Sequence, residues 1–314
     1  MKKFARIIGT GSYLPSKVVT NFDLEKTLDT SDEWITSRTG IKERRIVTDQ
    51  NTCDLALEAS FKALSMAELK PEDIDLIILS TTTPDKIFPA TATTLQNRLG
   101  ASCPAFDLQA VCAGFVFALT TAQQYIENGS AKNILVVGSE TMSKIVDWSD
   151  RSTAILFADG AGAVVLSSDN TTGIKHSKLL SDGSYLSSLH VNNNGINDFG
   201  TIHMDGNEVF KIAVNKLSDL AQETLNDCNM SSDDLSWMVP HQANIRIINA
   251  VAKRIKLPMD KVIKTLDKHG NTSAASIPLA LDTGVRDGRI KKGDTLLFEG
   301  IGGGFSWGSI LLEY

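Results

Sequence analysis

Three residues far apart in the chain carry side chains that together could perform acyl transfer: Cys112, His241 and Asn271. A cysteine thiolate takes an acyl group from a thioester at little energetic cost, because sulfur replaces sulfur. A neutral imidazole and a carboxamide can both donate hydrogen bonds to an oxygen that becomes negative during reaction. Each residue alone has a plainer reading: Cys112 as a small buried hydrophobe, His241 as a structural histidine, Asn271 as a turn residue beside Gly270. Their local contexts, Ala105-Phe-Asp-Leu-Gln-Ala-Val-Cys112-Ala-Gly-Phe, Pro240-His241-Gln-Ala-Asn244 and His269-Gly-Asn271-Thr-Ser-Ala-Ala, shift the weight toward chemistry.

The elements around these residues follow from pattern. Phe115, Ala118, Leu119, Ala122, Tyr125 and Ile126 recur at helical spacing, and Asn128-Gly129 supplies a stop, which predicts a helix over 113–128. Cys112 then stands where a strand meets a helix N-terminus, a position whose dipole favours a thiolate. Strand-like runs at 74–80, 134–138, 163–166, 237–240, 295–299 and 309–312 alternate with amphipathic segments, the pattern of an α/β protein with buried sheets. The stretch 182–206, rich in Asn, Gly, Ser and Asp, reads as loops over a site.

The chain also repeats itself. Pro71-Glu-Asp-Ile-Asp-Leu-Ile-Ile-Leu parallels Ser232-Asp-Asp-Leu-Ser-Trp-Met-Val-Pro, an offset of 232 − 71 = 161. Lys132-Asn-Ile-Leu-Val-Val-Gly138 parallels Asp294-Thr-Leu-Leu-Phe-Glu-Gly300, an offset of 300 − 138 = 162. Gly160-Ala-Gly-Ala-Val-Val-Leu then echoes Ser306-Trp-Gly-Ser-Ile-Leu-Leu. Two halves of one topology are expected, 1–169 with the cysteine and 170–314 with the histidine and asparagine. Trp237–Pro240 corresponds to Leu76–Leu79, so His241 falls at the C-terminal end of a strand, where catalytic groups of α/β sheets gather.

Composition narrows the alternatives. With 314 residues and 42% hydrophobic content, the chain can bury a large core. Its net charge of −6 argues against general nucleic-acid binding. No apolar run approaches the ~18–20 residues that span a bilayer, and Met1-Lys-Lys-Phe-Ala-Arg-Ile-Ile-Gly reads as a first strand rather than a signal peptide. Cysteines 53, 103, 112 and 228 have no disulfide or metal spacing, which fits a reduced, cytoplasmic protein. Histidines 176, 190, 203 and 269 likewise lack metal-ligand spacing, so no metal is expected.

With the cysteine, histidine and asparagine motifs in place, the chain resembles the β-ketoacyl-acyl-carrier-protein synthase III family of the thiolase superfamily. The resemblance runs through Gly9-Thr-Gly-Ser-Tyr-Leu-Pro15, Thr30-Ser-Asp-Glu-Trp34-Ile, Arg38-Thr-Gly-Ile41, Cys112-Ala-Gly-Phe, Asp159-Gly-Ala-Gly-Ala163, Gly206-Asn-Glu-Val-Phe210 and Gly302-Gly-Gly-Phe-Ser-Trp-Gly308. It implies a thiolase-like, five-layered α-β-α-β-α sandwich and a homodimer. It also implies a decarboxylative condensation. Cys112 accepts a short acyl group from acyl-CoA, the N–H groups of Cys112 and Gly303 form the oxyanion hole, and His241 and Asn271 stabilise the enolate formed from malonyl-acyl-carrier protein. Coenzyme A thioester is a substrate, and no cofactor is implied.

The resemblance extends to binding. It implies CoA or pantetheine contacts at Trp34, Arg38, Thr39, Arg151, Gly206, Phe210 and Asn244, with the adenine held between Trp34 and Arg151. Core packing is the plainer role for Trp34, but its polar neighbours Ser31-Asp-Glu33 suit a surface cleft. A helix over 245–256 buries Ile245, Ile248, Ala252 and Ile255 and carries Arg246 and Lys253 on another face, which suits docking of an acidic acyl-carrier protein. Phe88 matches a position that reaches across the dimer and limits the acyl pocket to short primers such as acetyl.

Other signals are weaker. Gly304-Phe-Ser-Trp-Gly308 fits the elbow of serine hydrolases, but a short strand follows it and the chain then ends. Gly9-Thr-Gly-Ser-Tyr-Leu14 lacks the third glycine of a dinucleotide fingerprint. A superfamily acyltransferase or thioesterase working through Cys112 without condensation is the main alternative, and a non-catalytic carrier-binding scaffold is another.

Overall fold

Side-chain alternation along the strands dictates the layers of the molecule. In the strand Asn133–Thr141, Ile134 and Val136 face one way while Leu135 and Val137 face the other, and each set enters a different core. The structure, a computed structural model, describes residues 3–193 and 199–314. One five-stranded sheet runs in the order Phe4–Tyr13, Asp159–Asp169, Asn133–Thr141, Leu76–Ser80 and Ala105–Leu108. A four-stranded sheet runs Trp237–Pro240, Thr295–Gly302, Ser306–Glu313 and Ile174–Ser181. Its centre pairs parallel between Trp237–Pro240 and Thr295–Gly302 and antiparallel onward, as do the corresponding strands of the first sheet.

Helices Gly114–Glu127 and Ser276–Arg286 fill the space between the sheets, where Phe115, Leu119, Ile277 and Leu281 meet Val136, Phe298 and Ile310. Thr52–Ala67 and Thr91–Leu99 cover the outer face of the first sheet. Gly206–Asp227 and Ile245–Arg254 cover the outer face of the second. The result is the expected five-layered sandwich. The central strands are buried on both faces, which is why they read as unbroken apolar runs.

The duplication reaches backbone detail. Val111 and Ser273, 273 − 111 = 162 apart, both hold φ at +49° at the start of matching 3-10 turns, Val111–Ala113 and Ser273–Ala275. Each turn packs on a glycine of the other half. A Cβ on Gly138 would lie 2.4 Å from the Ala274 carbonyl oxygen, and one on Gly300 would lie 3.2 Å from that of Cys112. The symmetry is incomplete: among the described residues, the edge strand Ala105–Leu108 is answered in the second sheet only by an isolated parallel bridge of Val262 to Met238.

Three expectations need correction. The α-helix begins at Gly114 rather than 113, because Cys112 lies inside the 3-10 turn that precedes it. The stretch 182–206 is not purely loop: the strands Leu189–Asn193 and Phe199–Met204 pair antiparallel, with Val191 opposite Ile202 and Leu189 opposite Met204. Residues 194–198 of that stretch lie outside the described residues. The helix at 245 stops at Arg254, and Lys256 takes a left-handed φ of +60° that turns the chain.

Candidate active site

A cavity of about 330 Å³ lies where the inner helices of both halves meet the ends of the strands, and Cys112, His241 and Asn271 all line it. All three are buried. Exposed Arg38, Asn207 and Arg246 stand on its lining too and mark the solvent side.

Cys112 sits beneath its own helix, with Gly302 pressed on its backbone: a Cβ there would come 2.6 Å from Cys112 N. Burial pushes the thiol up to about 12, and the Glu140 carboxyl adds to the rise, while the Ser273 hydroxyl opposes without offsetting it. Burial strips hydration from the anion and so works against the thiolate that the helix terminus favours.

His241 follows the strand Trp237–Pro240, and its N–H donates to the Glu299 carbonyl at 2.8 Å. Its Nδ1 lies 2.6 Å from Ser276 Oγ. Burial lowers the imidazole to about 4, so the ring is neutral at pH 7 and carries one N–H. Asn271 is locked through its backbone, donating to Leu156 O and accepting from Ala158 N, both at 2.9 Å. Its Oδ1 accepts from Ser273 N at 2.9 Å, which leaves the Nδ2 hydrogens for the cavity. The Ile155–Phe157 wall is itself held by Arg44, a fully buried guanidinium that donates to Ile155 O at 2.8 Å and to Asn21 Oδ1 at 2.9 Å. Gly303 is next to Gly302 in the turn and does not line the cavity; a Cβ on it would meet Leu189 O at 2.7 Å.

The other expected residues divide. Trp34, Arg38, Thr39, Gly206, Phe210, Asn244 and Arg246 share the cavity lining. Arg151 lies outside that lining but holds its guanidinium carbon 4.8 Å above the Trp34 ring, with a hydrogen bond to Asp29 O. That gap is too narrow for an intervening base, so adenine would have to swing Arg151 aside. The Thr39 hydroxyl donates to Ile35 O and accepts from Ile41 N, which commits it to backbone and leaves little for a ligand. Asn244 caps its helix through Oδ1, keeping Nδ2 free. Arg246 stacks 5.2 Å over Phe210, and Lys253 is exposed on the same helix. Phe88 is 83% exposed, away from the cavity, beside equally exposed Ile87.

Sequence reasoning missed the apolar walls, Leu189, Met204, Ile301 and Phe305, which come from segments remote in the chain. It also missed Glu140, a buried carboxyl whose Oε2 accepts from Thr82 N, Thr83 N and the Thr83 hydroxyl. An acid within the apolar run Asn133-Ile-Leu-Val-Val-Gly-Ser-Glu140 was the available signal.

A duplicated five-layered sandwich with a buried cysteine at the heart of its cavity defines a thiolase-fold acyltransferase. Residues 106–183 match the model for 3-oxoacyl-[acyl-carrier-protein] synthase III, and residues 225–314 match the model for its C-terminal part. The β-ketoacyl-[acyl-carrier-protein] synthase III of Vesicomyosocius okutanii is 70% identical over the whole of both chains. That of Neisseria meningitidis is 56% identical over 99% of this chain and 100% of its own. The crystal structure of the Aquifex aeolicus 3-oxoacyl-[acyl-carrier-protein] synthase III superposes with a TM-score of 0.96 at 48% identity, covering 99% of this chain and 100% of that one. The chain therefore belongs to the β-ketoacyl-acyl-carrier-protein synthase III family. It is an acyl-transferring condensing enzyme.

Proposed function

We propose that the protein joins a short acyl-CoA, acetyl-CoA foremost, to malonyl-acyl-carrier protein by decarboxylative Claisen condensation. The products are 3-oxoacyl-acyl-carrier protein, CoA and CO₂, and the reaction initiates type II fatty acid synthesis. The observation that carries this reading is the convergence of Cys112, His241 and Asn271 on one cavity.

In the first half-reaction the Cys112 sulfur bonds the acyl carbon, the CoA sulfur departs, and the thiol proton ends on CoA. The Cys112 N–H holds the carbonyl oxygen as it gains charge, and Gly303, which stands just outside the cavity lining, supplies the second donor when its N–H turns inward. In the second, the malonyl carbon–carbon bond breaks and CO₂ leaves its electron pair as an enolate. His241 Nε2–H and Asn271 Nδ2–H donate to that enolate oxygen. The enolate carbon then bonds the acyl carbon, the Cys112 sulfur leaves and regains a proton from solvent. Loss of CO₂ supplies the carbanion, so no side chain need remove a carbon-bound proton, which suits a histidine lowered to about 4.

Residues 1–169 contribute the nucleophile and 170–314 the two enolate donors. Trp34 and Arg151 take the adenine of CoA, Arg38 and Thr39 its nearby groups, and Gly206, Phe210 and Asn244 the pantetheine arm. Arg246, at the cavity mouth, and Lys253 receive the acidic carrier protein. Phe88, exposed in one protomer, closes the acyl pocket of its neighbour in a homodimer. The enzyme works in the cytoplasm without a cofactor; among the described residues no helix is long and apolar enough to cross a membrane. The test is malonyl decarboxylation in His241→Ala and Asn271→Ala. Each should lose about 10²–10³ in rate, the typical cost of one oxyanion donor. Unchanged decarboxylation in both would remove the condensing role.

A further inference from the structure

We infer that Ser276 is a positioning residue for this reaction: its hydroxyl donates to His241 Nδ1 and holds the ring's single proton on Nε2, where the cavity needs a donor. The inference rests on the reading of His241 as an enolate donor.

The argument is an accounting of hydrogens. Ser276 is 1% exposed, so its hydroxyl hydrogen must find an acceptor inside the protein. Ser276 Oγ already accepts from Gln242 N at 3.3 Å, and its other hydrogen-bond partner among the described residues is His241 Nδ1 at 2.6 Å. If Nδ1 carried the proton and donated to Oγ, the hydroxyl hydrogen would be left buried with no acceptor. With Nδ1 as acceptor, every group is satisfied and the proton lies on Nε2.

The backbone donor that fixes Ser276 is itself braced. The Gln242 amide donates to Pro240 O at 2.8 Å and Ile263 O at 3.2 Å, and its Oε1 accepts from Thr265 N at 2.9 Å. Gln242 is 1% exposed. Three side-chain contacts therefore hold the residue that follows His241, and its backbone N–H faces Ser276.

The other half of the molecule supplies an internal comparison. The offsets put Ser80 at the place of His241 (241 − 161 = 80) and Gly114 at the place of Ser276 (276 − 162 = 114). Those two residues are neighbours as well: a Cβ on Gly114 would fall 1.9 Å from Ser80 Oγ. The same meeting of strand end and inner helix thus occurs twice. Where the strand end carries no imidazole, the helix carries no side chain; where it carries His241, the helix carries a hydroxyl.

The experiment combines a spectrum and a variant. In full-length protein with ¹⁵N-labelled histidine, the His241 signals are assigned by their loss in His241→Ala. At neutral pH Nε2 should be protonated and Nδ1 bare in the wild type. Ser276→Ala should populate the Nδ1–H form and slow decarboxylation of malonyl-acyl-carrier protein about tenfold, the scale of one hydrogen bond. Acylation of Cys112 by acetyl-CoA should stay near wild type, with a modest fall in Tm as the buried Gln242 N–H loses its acceptor. A proton on Nδ1 in the wild type, or decarboxylation in Ser276→Ala within twofold of wild type, would overturn the assignment. Should Ser276→Ala fail to fold, the wild-type spectrum alone decides. Loss of decarboxylation in His241→Ala but not in Ser276→Ala defeats only this inference, whereas retention in His241→Ala as well defeats the reading of His241 as an enolate donor on which it rests.

Discussion

Replacing Gly302 by alanine should separate the backbone of the nucleophile from its side chain. The new methyl carbon would lie 2.6 Å from Cys112 N, 2.9 Å from Ala110 O and 2.9 Å from Val111 Cβ. The first distance is 3.4 − 2.6 = 0.8 Å inside the limit of ordinary contact, and the atoms met are two of the backbone and a Cβ fixed directly to it, none of which can swing away. Cys112 N must retreat by about that distance, enough to misdirect its N–H from a thioester oxygen. Loss of one such donor costs about 10²–10³ in rate. Gly300→Ala is the matched control, since its methyl would stand 3.2 Å from Cys112 O and 3.3 Å from Ala113 Cα. The assay is the rate of single-turnover acylation by acetyl-CoA, followed by intact mass, with Tm measured alongside. Gly302→Ala should acylate at least 10²-fold more slowly, and Gly300→Ala within about tenfold of wild type. Acylation of Gly302→Ala within threefold of wild type would refute the idea that this glycine seats the oxyanion donor.

Two further outcomes follow from the geometry. Trp34→Ala should raise the KM for acetyl-CoA while leaving kcat and Tm near wild type; a fall in Tm with KM unchanged would make Trp34 a packing residue. Glu299, fully buried with neither carboxyl oxygen hydrogen-bonded among the described residues, is pushed up from 4.5 to about 8 by burial. The folded state therefore holds a proton that the unfolded state has released, so this residue makes stability fall as pH rises from about 4.5 to 8. Glu299→Gln should lose that part of the decline, and chemical denaturation at pH 5 and pH 8 measures it; parallel declines in both proteins would contradict the assignment.

Much of the architecture was legible because it rests on local periodicity. Strands buried on both faces announce themselves as apolar runs, and the 161–162 residue offset exposed a duplication that the matching left-handed Val111 and Ser273 carry into the backbone. Cys112, His241 and Asn271 stood out because their residue types and turn contexts are informative without coordinates. What stayed hidden depends on three-dimensional environment. Burial, which pushes the Cys112 thiol up and opposes the helix dipole, is visible only once the fold encloses the residue. The Ser276 hydroxyl follows directly on a visible motif, yet its pairing with His241 spans 35 residues and needs the fold to bring them together. The strands Leu189–Asn193 and Phe199–Met204 lie in a stretch rich in polar and small residues, and only their pairing makes them structure.

The most direct test of the account is the intact mass of wild-type and Cys112→Ala protein after incubation with acyl-CoAs of increasing chain length. A single acyl adduct on the wild type alone, strongest with acetyl-CoA, is the predicted result. No adduct from any acyl-CoA, or an equal adduct on Cys112→Ala, would contradict the claim that Cys112 is the nucleophile.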